Sequence, residues 1–337
     1  MIIISKLYEN FKIFIKENYK SLIFVAVIFF LFFFKLPYYI YAPGGLIDAT
    51  DKVSVGEKIE FKGSLNMAYV SSIKGTPITL MYALINPSYD IESINEITGG
   101  TESIEDEEYR NKMLLKEGNN IALEIAYKHS NVPYTIENDK VYVTYIDENA
   151  KTNLKIKDQI IKIDDFKVNK KEDLYNYIKN KKKNEKINFT VINNGKEYKR
   201  NATLIDVMST PKVGALITEN KDIKSSKNVN IKFKSTESGS SGGLMITLTL
   251  YSLISGVDLT NGKTIAGTGT INEDETVGEI SGVKYKLQGA VNKGADVFLV
   301  PKGDNYKEAK KLKDKNGYDI TIVPVATFEE ALKYLKN

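Results

Sequence analysis

The residues best suited to chemistry lie in one stretch, Ser235-Thr-Glu-Ser-Gly-Ser-Ser-Gly-Gly-Leu-Met-Ile246. An alternating run over 228–234 precedes it and reads as a strand. An apolar run over 244–254 follows and reads as a helix. A serine at a strand-to-helix turn can sit exposed among backbone N–H groups, which suits a nucleophile and an oxyanion hole. A glycine–serine turn with no chemistry fits these residues equally well.

The rest of the composition narrows the chemistry. The chain has no cysteine, so a thiol nucleophile, a thiolate zinc site and a disulfide framework are excluded. His129 is the single histidine. It closes a long helical run that starts from the acidic stretch 101–108, and it reads as a surface residue at a helix end. No metal site is expected. Gly256-Val-Asp-Leu-Thr-Asn-Gly-Lys-Thr264 imitates a phosphate loop but has one residue too many before its Gly-Lys pair, and it lies between a helix and a strand in the wrong order. No ATP site and no other cofactor is expected. Forty-seven basic against 43 acidic residues leave +4, nearly all the bases being lysine, and nothing argues for nucleic acid.

Several elements must hold the serine stretch. Residues 1–20 carry apolar side chains at helical spacing between lysines and read as an amphipathic, cytoplasmic segment. Leu22 to Phe34 is wholly apolar, and Tyr38, Tyr39 and Tyr41 follow it as an interfacial belt, so 21–41 reads as one transmembrane helix. A cleaved signal peptide is the rival, but no small-x-small site follows. Lys6, Lys12, Lys16 and Lys20 predict a cytoplasmic N-terminus and an extracellular remainder. Residues 46–133 read as a mixed α/β region, with strands at 57–61 and 65–73 and helices from 76 and from 101.

Residues 134–206 run strand, connection, strand, turn, helix (171–182), strand, Asn-Gly turn and strand. This order, with Leu154-x-x-x-Asp158-x-Ile160, Asp173-Leu174 and the hairpin at Asn194-Gly195, resembles a PDZ domain of the circularly permuted kind found in bacterial proteases. That family usually has glycine where Lys157 stands. The resemblance implies an extended peptide bound beside helix 171–182 by strand addition. Residues 208–227 are polar, and a domain boundary is expected near 207.

Residues 211–337 resemble the proteolytic domain of Lon-type proteases. In that family the nucleophile lies in a pattern like Asp-Gly-Pro-Ser-Ala-Gly, filled here by Ser238-Gly-Ser-Ser241-Gly-Gly243. The base lies in Gly-Gly-Leu-Lys-Glu-Lys, filled here by Ser281-Gly-Val-Lys284-Tyr-Lys286. The resemblance implies Ser241 as nucleophile, Lys284 as base and Thr268 as its partner, with Ser240 and Gly242 supporting the loop. Lys286, two residues on, points to another helix face and is expected in solvent. A free lysine is charged at neutral pH, but burial disfavours the ammonium and frees the amine as a base.

The expected protein is thus an α+β multidomain chain with an N-terminal transmembrane helix, a PDZ-like domain and a C-terminal α/β Lon-type proteolytic domain. The architecture resembles the membrane-anchored, PDZ-containing Lon-like proteases of Gram-positive bacteria. It implies an ATP-independent serine endopeptidase acting on unfolded or flexible protein segments outside the cell membrane. The oligomeric state is left open, a homo-oligomer included. The second reading is an inactive, membrane-anchored peptide-binding scaffold, motivated by Ser281 and the altered serine loop.

Overall fold

The computed structural model describes residues 2–56 and 59–337. It forms two compact units, one made of residues up to 42 with 71–97, the other of 43–70 with 98–337.

In the first unit a single helix, α1 (Ile2–Phe33), takes in both the amphipathic and the apolar stretch. The expected transmembrane helix over 21–41 is corrected. The helix ends at Phe33, Pro37 disfavours its continuation, and the strand Tyr38–Asp48 begins in the tyrosine-rich run. Residues 38–41 pair antiparallel with Asp90–Ser93. Lys16, Glu17 and Lys20 confine the uncharged part of α1 to residues 21–33, roughly 20 Å at helical rise. Among the described residues no helix is long and apolar enough to cross a membrane. Helix α2 (Pro77–Ile85) starts at a capping box between Thr76 and Thr79 with Pro77 in its first turn. A short helix, α3 (Ile94–Thr98), follows.

The second unit opens its helical part with α4 (Ile104–His129). The Ser103 side chain caps it, Glu105, Asp106 and Glu107 occupy its first turn, and Lys128 and His129 its last, all favourable to the helix dipole. A six-strand path then runs in the order Ala215–Ser225, Tyr134–Ile146, Gln159–Ile163, Lys186–Asn193, Lys196–Thr203, Lys151–Thr152. Its core holds Val141, Val143, Ile160, Phe189 and Val191 under α5 (Lys171–Ile178), which is shorter than the expected 171–182. The polar stretch 208–227 contains regular structure. Residues 205–212 form a hairpin, and Ala215–Ser225 lies along almost the whole length of Tyr134–Ile146.

Lys157, in the place where a glycine was expected, has φ +73°. A side chain in this region is strained, and glycine is not. Lys157→Gly is therefore expected to stabilise the chain by about 0.5–1 kcal/mol, read as a higher denaturant midpoint with an unchanged slope. The gain is partly offset by losing the Lys157 ammonium over the Tyr109 ring, 5.3 Å from its centroid.

Four strands of a second, mixed sheet, Thr321–Val325, Val297–Pro301, Thr264–Gly267 and Ser64–Lys74, run parallel side by side. Helices α6 (Gly243–Ser255), α7 (Val283–Asn292), α8 (Asp304–Asn316) and α9 (Phe328–Lys336) complete it. Leu65 and Met67, from far upstream, share a core with Leu123 and Ala126 of α4 and with Leu244, Met245 and Leu248 of α6. Residues before the PDZ-like sheet are therefore built into the C-terminal fold. The strand expected over 57–61 is not found: residues 57 and 58 lie outside the described residues, and 59–61 form no strand.

Candidate active site

Helix α6 is apolar all round and buried from Gly243 to Ser252, as a central core helix must be. It fixes the serine turn from behind. A Cβ on Gly242 would come within 2.8 Å of the Met67 sulfur, and one on Gly243 within 3.0 Å of the Ile271 backbone nitrogen. Only glycine lets the turn sit this close to the sheet. From in front, the Gly239 N–H donates to the Asn111 carbonyl of α4 at 3.1 Å. Glu237 accepts from the Lys52 ammonium at 2.6 Å and from the Lys234 N–H at 2.7 Å. The turn therefore has little freedom to rearrange.

Thr268 is fully buried at the end of Thr264–Gly267. Its hydroxyl donates to the Ser241 carbonyl at 3.0 Å, and the Gly269 N–H donates to the same oxygen at 2.8 Å. Having spent its proton, the hydroxyl accepts from a lysine.

That lysine is Lys286, whose Nζ lies 3.1 Å from Thr268 Oγ1. Lys284, named as the base from the resemblance, is half-buried and holds its ammonium over the Tyr285 ring, 4.7 Å from the centroid. The reason is helical geometry. Val283, Lys286, Leu287 and Ala290 share the buried stripe of α7, and Lys284 falls about 200° round the helix from Lys286. Lys286 is 4 % exposed. Burial alone pulls its amine down to about 8 from the usual 10.5. Gly282, at φ +75°, starts the helix, and the positive end of its dipole adds to the cost of a cation in its first turns.

Of the predicted site residues, the structure brings Ser241, Thr268 and Gly242 to one place and adds Lys286 to them. Ser240 lies on the α4 side of the turn. With Leu114, Gly118, Ile121, Ile271 and Glu273 it lines a cleft of about 490 Å³ between α4 and the hairpin after Thr268. Lys171, the first residue of α5, reaches the same cleft and pairs with Glu117 at 2.7 Å. His129, the last residue of α4, pairs with Glu275 at 2.8 Å and packs edge-on against the Phe328 ring. Among the described residues no carboxylate and histidine group is arranged to hold a metal.

A second opening, of about 880 Å³, lies between α5 and the strand Ala215–Ser225. Leu174 and Ile178 from the helix face Leu216 and Ile217 from the strand across it. The strand stands at the edge of its sheet, so one side of its backbone is not used in the ladder.

The comparisons with known proteins fall on these two regions. Residues 118–204 match the PDZ domain family, and residues 216–336 match the Lon protease (S16) C-terminal proteolytic domain. The chain is 32 % identical over 96 residues to the Lon protease of Azospirillum brasilense, 28 % of this chain and 12 % of that one. It is 30 % identical over 99 residues to the Lon protease of Neorickettsia sennetsu, 29 % of this chain and again 12 % of that one. The matched stretch thus spans about an eighth of those relatives. Among solved structures, the PDZ domain of an SdrC-like protein from Listeria monocytogenes aligns over 25 % of this chain and 92 % of its own, at 23 % identity and a TM-score of 0.23. That of a Listeria innocua SdrC-like protein aligns over 23 % and 92 %, at 26 % identity and a TM-score of 0.22. The two family matches support a PDZ domain and a Lon-type proteolytic domain within this chain.

Proposed function

We propose that the protein is an ATP-independent endopeptidase with a serine–lysine dyad, in which Ser241 is the nucleophile and Lys286 the general base. The observation that carries this reading is the buried chain from the Lys286 amine to the Thr268 hydroxyl to the Ser241 backbone. A serine hydroxyl attacks a peptide carbonyl only when a base takes its proton. Lys286, neutral in half its copies near pH 8, can take that proton without histidine. Thr268 holds the amine in one direction and leaves its lone pair for Ser241. The protonated lysine then returns the proton to the leaving amine. Gly243 and Leu244 donate their N–H groups to Ser240 and Gly269 carbonyls, and we assign the amides of Ser241 and Gly242 to the oxyanion.

The cleft beside Ser240 would take the substrate chain in extended form, and the groove along α5 a second segment of it, added as a strand to Ala215–Ser225. The sequence shows no phosphate loop, and we assign as substrate a flexible or already unfolded segment. The uncharged end of α1 attaches the protein to a membrane: every residue from 21 to 34 is exposed except half-buried Leu31. The lysines before it suit an anionic membrane surface.

A fluorophosphonate probe tests the dyad on the full chain. The wild type should be labelled at Ser241, and Ser241→Ala should lose both labelling and peptide cleavage while Ser240→Ala keeps them. A folded wild type that never reacts, or cleavage that survives in Ser241→Ala, sinks the reading and leaves an inactive peptide-binding scaffold.

A further inference from the structure

We infer that residues 75–89, with α2 at their centre, form a second membrane contact that lies in the interface of the bilayer α1 enters. The inference rests on the membrane attachment proposed for α1 and names a further surface that takes part in it.

No residue from 75 to 89 carries a charge; Lys74 and Asp90 bound the stretch. The stretch is not a buried core element. Met81 is 60 % exposed, Tyr82 54 %, Leu84 77 % and Ile85 79 %, and Ala83 alone is buried among them. At 100° per residue these four side chains cover a broad face of α2, wider than the stripe a soluble helix leaves bare. The helix is also held firmly. Thr76 and Thr79 cap its start, the Asn86 N–H donates to the Ala83 carbonyl at 3.2 Å, and the Tyr82 and Tyr89 rings meet edge to face at 5.5 Å. An ordered element that shows this much apolar surface has a partner.

Its place in the first unit says which partner. The Leu36 N–H donates to the Gly75 carbonyl at 2.9 Å, and the Gly75 N–H to the Tyr38 carbonyl at 2.8 Å. Thus α2 begins beside the point where the apolar run of α1 ends. That run is bare on nearly all sides of its helix, a pattern that lipid satisfies and a one-sided protein groove does not. The flanks agree. Lys35 and Lys74 are exposed at the junction, and Tyr38 and Tyr82 offer the amphipathic rings that settle at headgroup level. The α1 run, at roughly 20 Å, falls short of the ~30 Å hydrocarbon core, and α2 supplies further buried apolar area where α1 stops.

The chain contains no tryptophan, so a single one reports its own surroundings. Leu84→Trp, Ile85→Trp, Phe29→Trp in α1 and Tyr198→Trp in the PDZ-like sheet are made in the full chain. Each is mixed with phosphatidylcholine–phosphatidylglycerol vesicles carrying brominated acyl chains. The expected result is blue-shifted, quenched emission at 84, 85 and 29 and no change at 198. In addition, Leu84→Glu/Ile85→Glu should lower vesicle partitioning about tenfold or more. Quenching at 29 without quenching at 84 and 85 overturns the inference and leaves the attachment through α1 standing. No quenching at any of the three overturns both. A blue shift at 84 that grows with protein concentration in the absence of lipid assigns α2 to self-association, and the inference fails.

Discussion

Lys286→Ala is expected to lower kcat/KM for peptide cleavage by about a thousandfold, in the range found when a general base is removed, whereas Lys284→Ala leaves it within a few-fold of the wild type. Both lysines lie on α7. What separates them is burial and the hydrogen bond to Thr268. Lys286→Arg should fail as completely as alanine, because a guanidinium stays charged and cannot accept a proton. In the wild type the active form carries the neutral amine. Its pKa of about 8 therefore predicts a rate that rises about tenfold per pH unit below 8 and levels off above it. The same burial has a cost in stability. Between pH 8 and 10.5 the unfolded chain keeps a proton on this lysine that the folded chain has released, so stability increases as pH rises through that window. Below pH 8 both states are protonated, and the full penalty of burying the cation is present. Lys286→Met should then be inactive yet more stable at pH 7, by about 1–3 kcal/mol. A thermal melt and a peptide assay on the same preparations check both halves. A fully active Lys286→Ala, or a dead Lys284→Ala, would falsify the assignment.

The two lysines show what the sequence held. The serine loop before α6 and the threonine before Gly269 stood out by their small residues, whereas the strand expected over 228–234 is confined to Val229–Ile231. The lysine was assigned by matching a motif rather than by periodicity. Val283, Leu287 and Ala290 already mark the buried stripe at helical spacing, and Lys286 lies on that stripe beside Leu287. Read as a helix face, the residues point to Lys286. The upstream region was less accessible. That Ser64–Lys74 pairs with Thr264–Gly267, about 200 residues later, has no local signature. Neither does the packing of α4 against α6, or the Asn111 carbonyl on the serine loop. These follow from long-range pairing, which composition and spacing do not encode. The strand Ala215–Ser225 was missed for another reason. Its polar residues, among them Glu219, Asn220 and Lys221, lack the apolar alternation that reports a strand, because ion pairs partly replace apolar contacts there. Lys221 meets Glu124 at 3.0 Å and Glu273 at 3.1 Å, and Glu219 accepts from the Lys171 N–H at 2.8 Å.

Asp158→Ala is expected to destabilise the PDZ-like sheet by about 3–5 kcal/mol, the cost of removing one partner from a buried ion pair. The Asp158 side chain is fully buried and meets Arg200 Nε at 3.1 Å. It also accepts from the Lys155 N–H at 2.8 Å and from Asn193 Nδ2 at 2.8 Å. One carboxylate thus ties the turn at 155–158 to the strands Lys186–Asn193 and Lys196–Thr203. Alanine leaves the Arg200 cation, whose side chain is 14 % exposed, without its counter-charge. It also leaves the amide of a turn already strained at Lys157 without its acceptor. Hydrogen exchange on the full chain should show lost protection in Gln159–Ile163, Lys186–Asn193 and Lys196–Thr203, with α6 and Val297–Pro301 still protected. Asp158→Asn, which keeps the shape but not the charge, should lose less. Asp158→Leu/Arg200→Leu should recover part of the loss, since removing both ions removes the desolvation they shared. Leu154, Ile160 and Phe189 line the groove beside α5, so binding of an extended peptide should fall in step with the lost protection. If protection is lost and peptide binding is unchanged, the groove is not the peptide site. If neither changes, the ion pair contributes nothing to the fold.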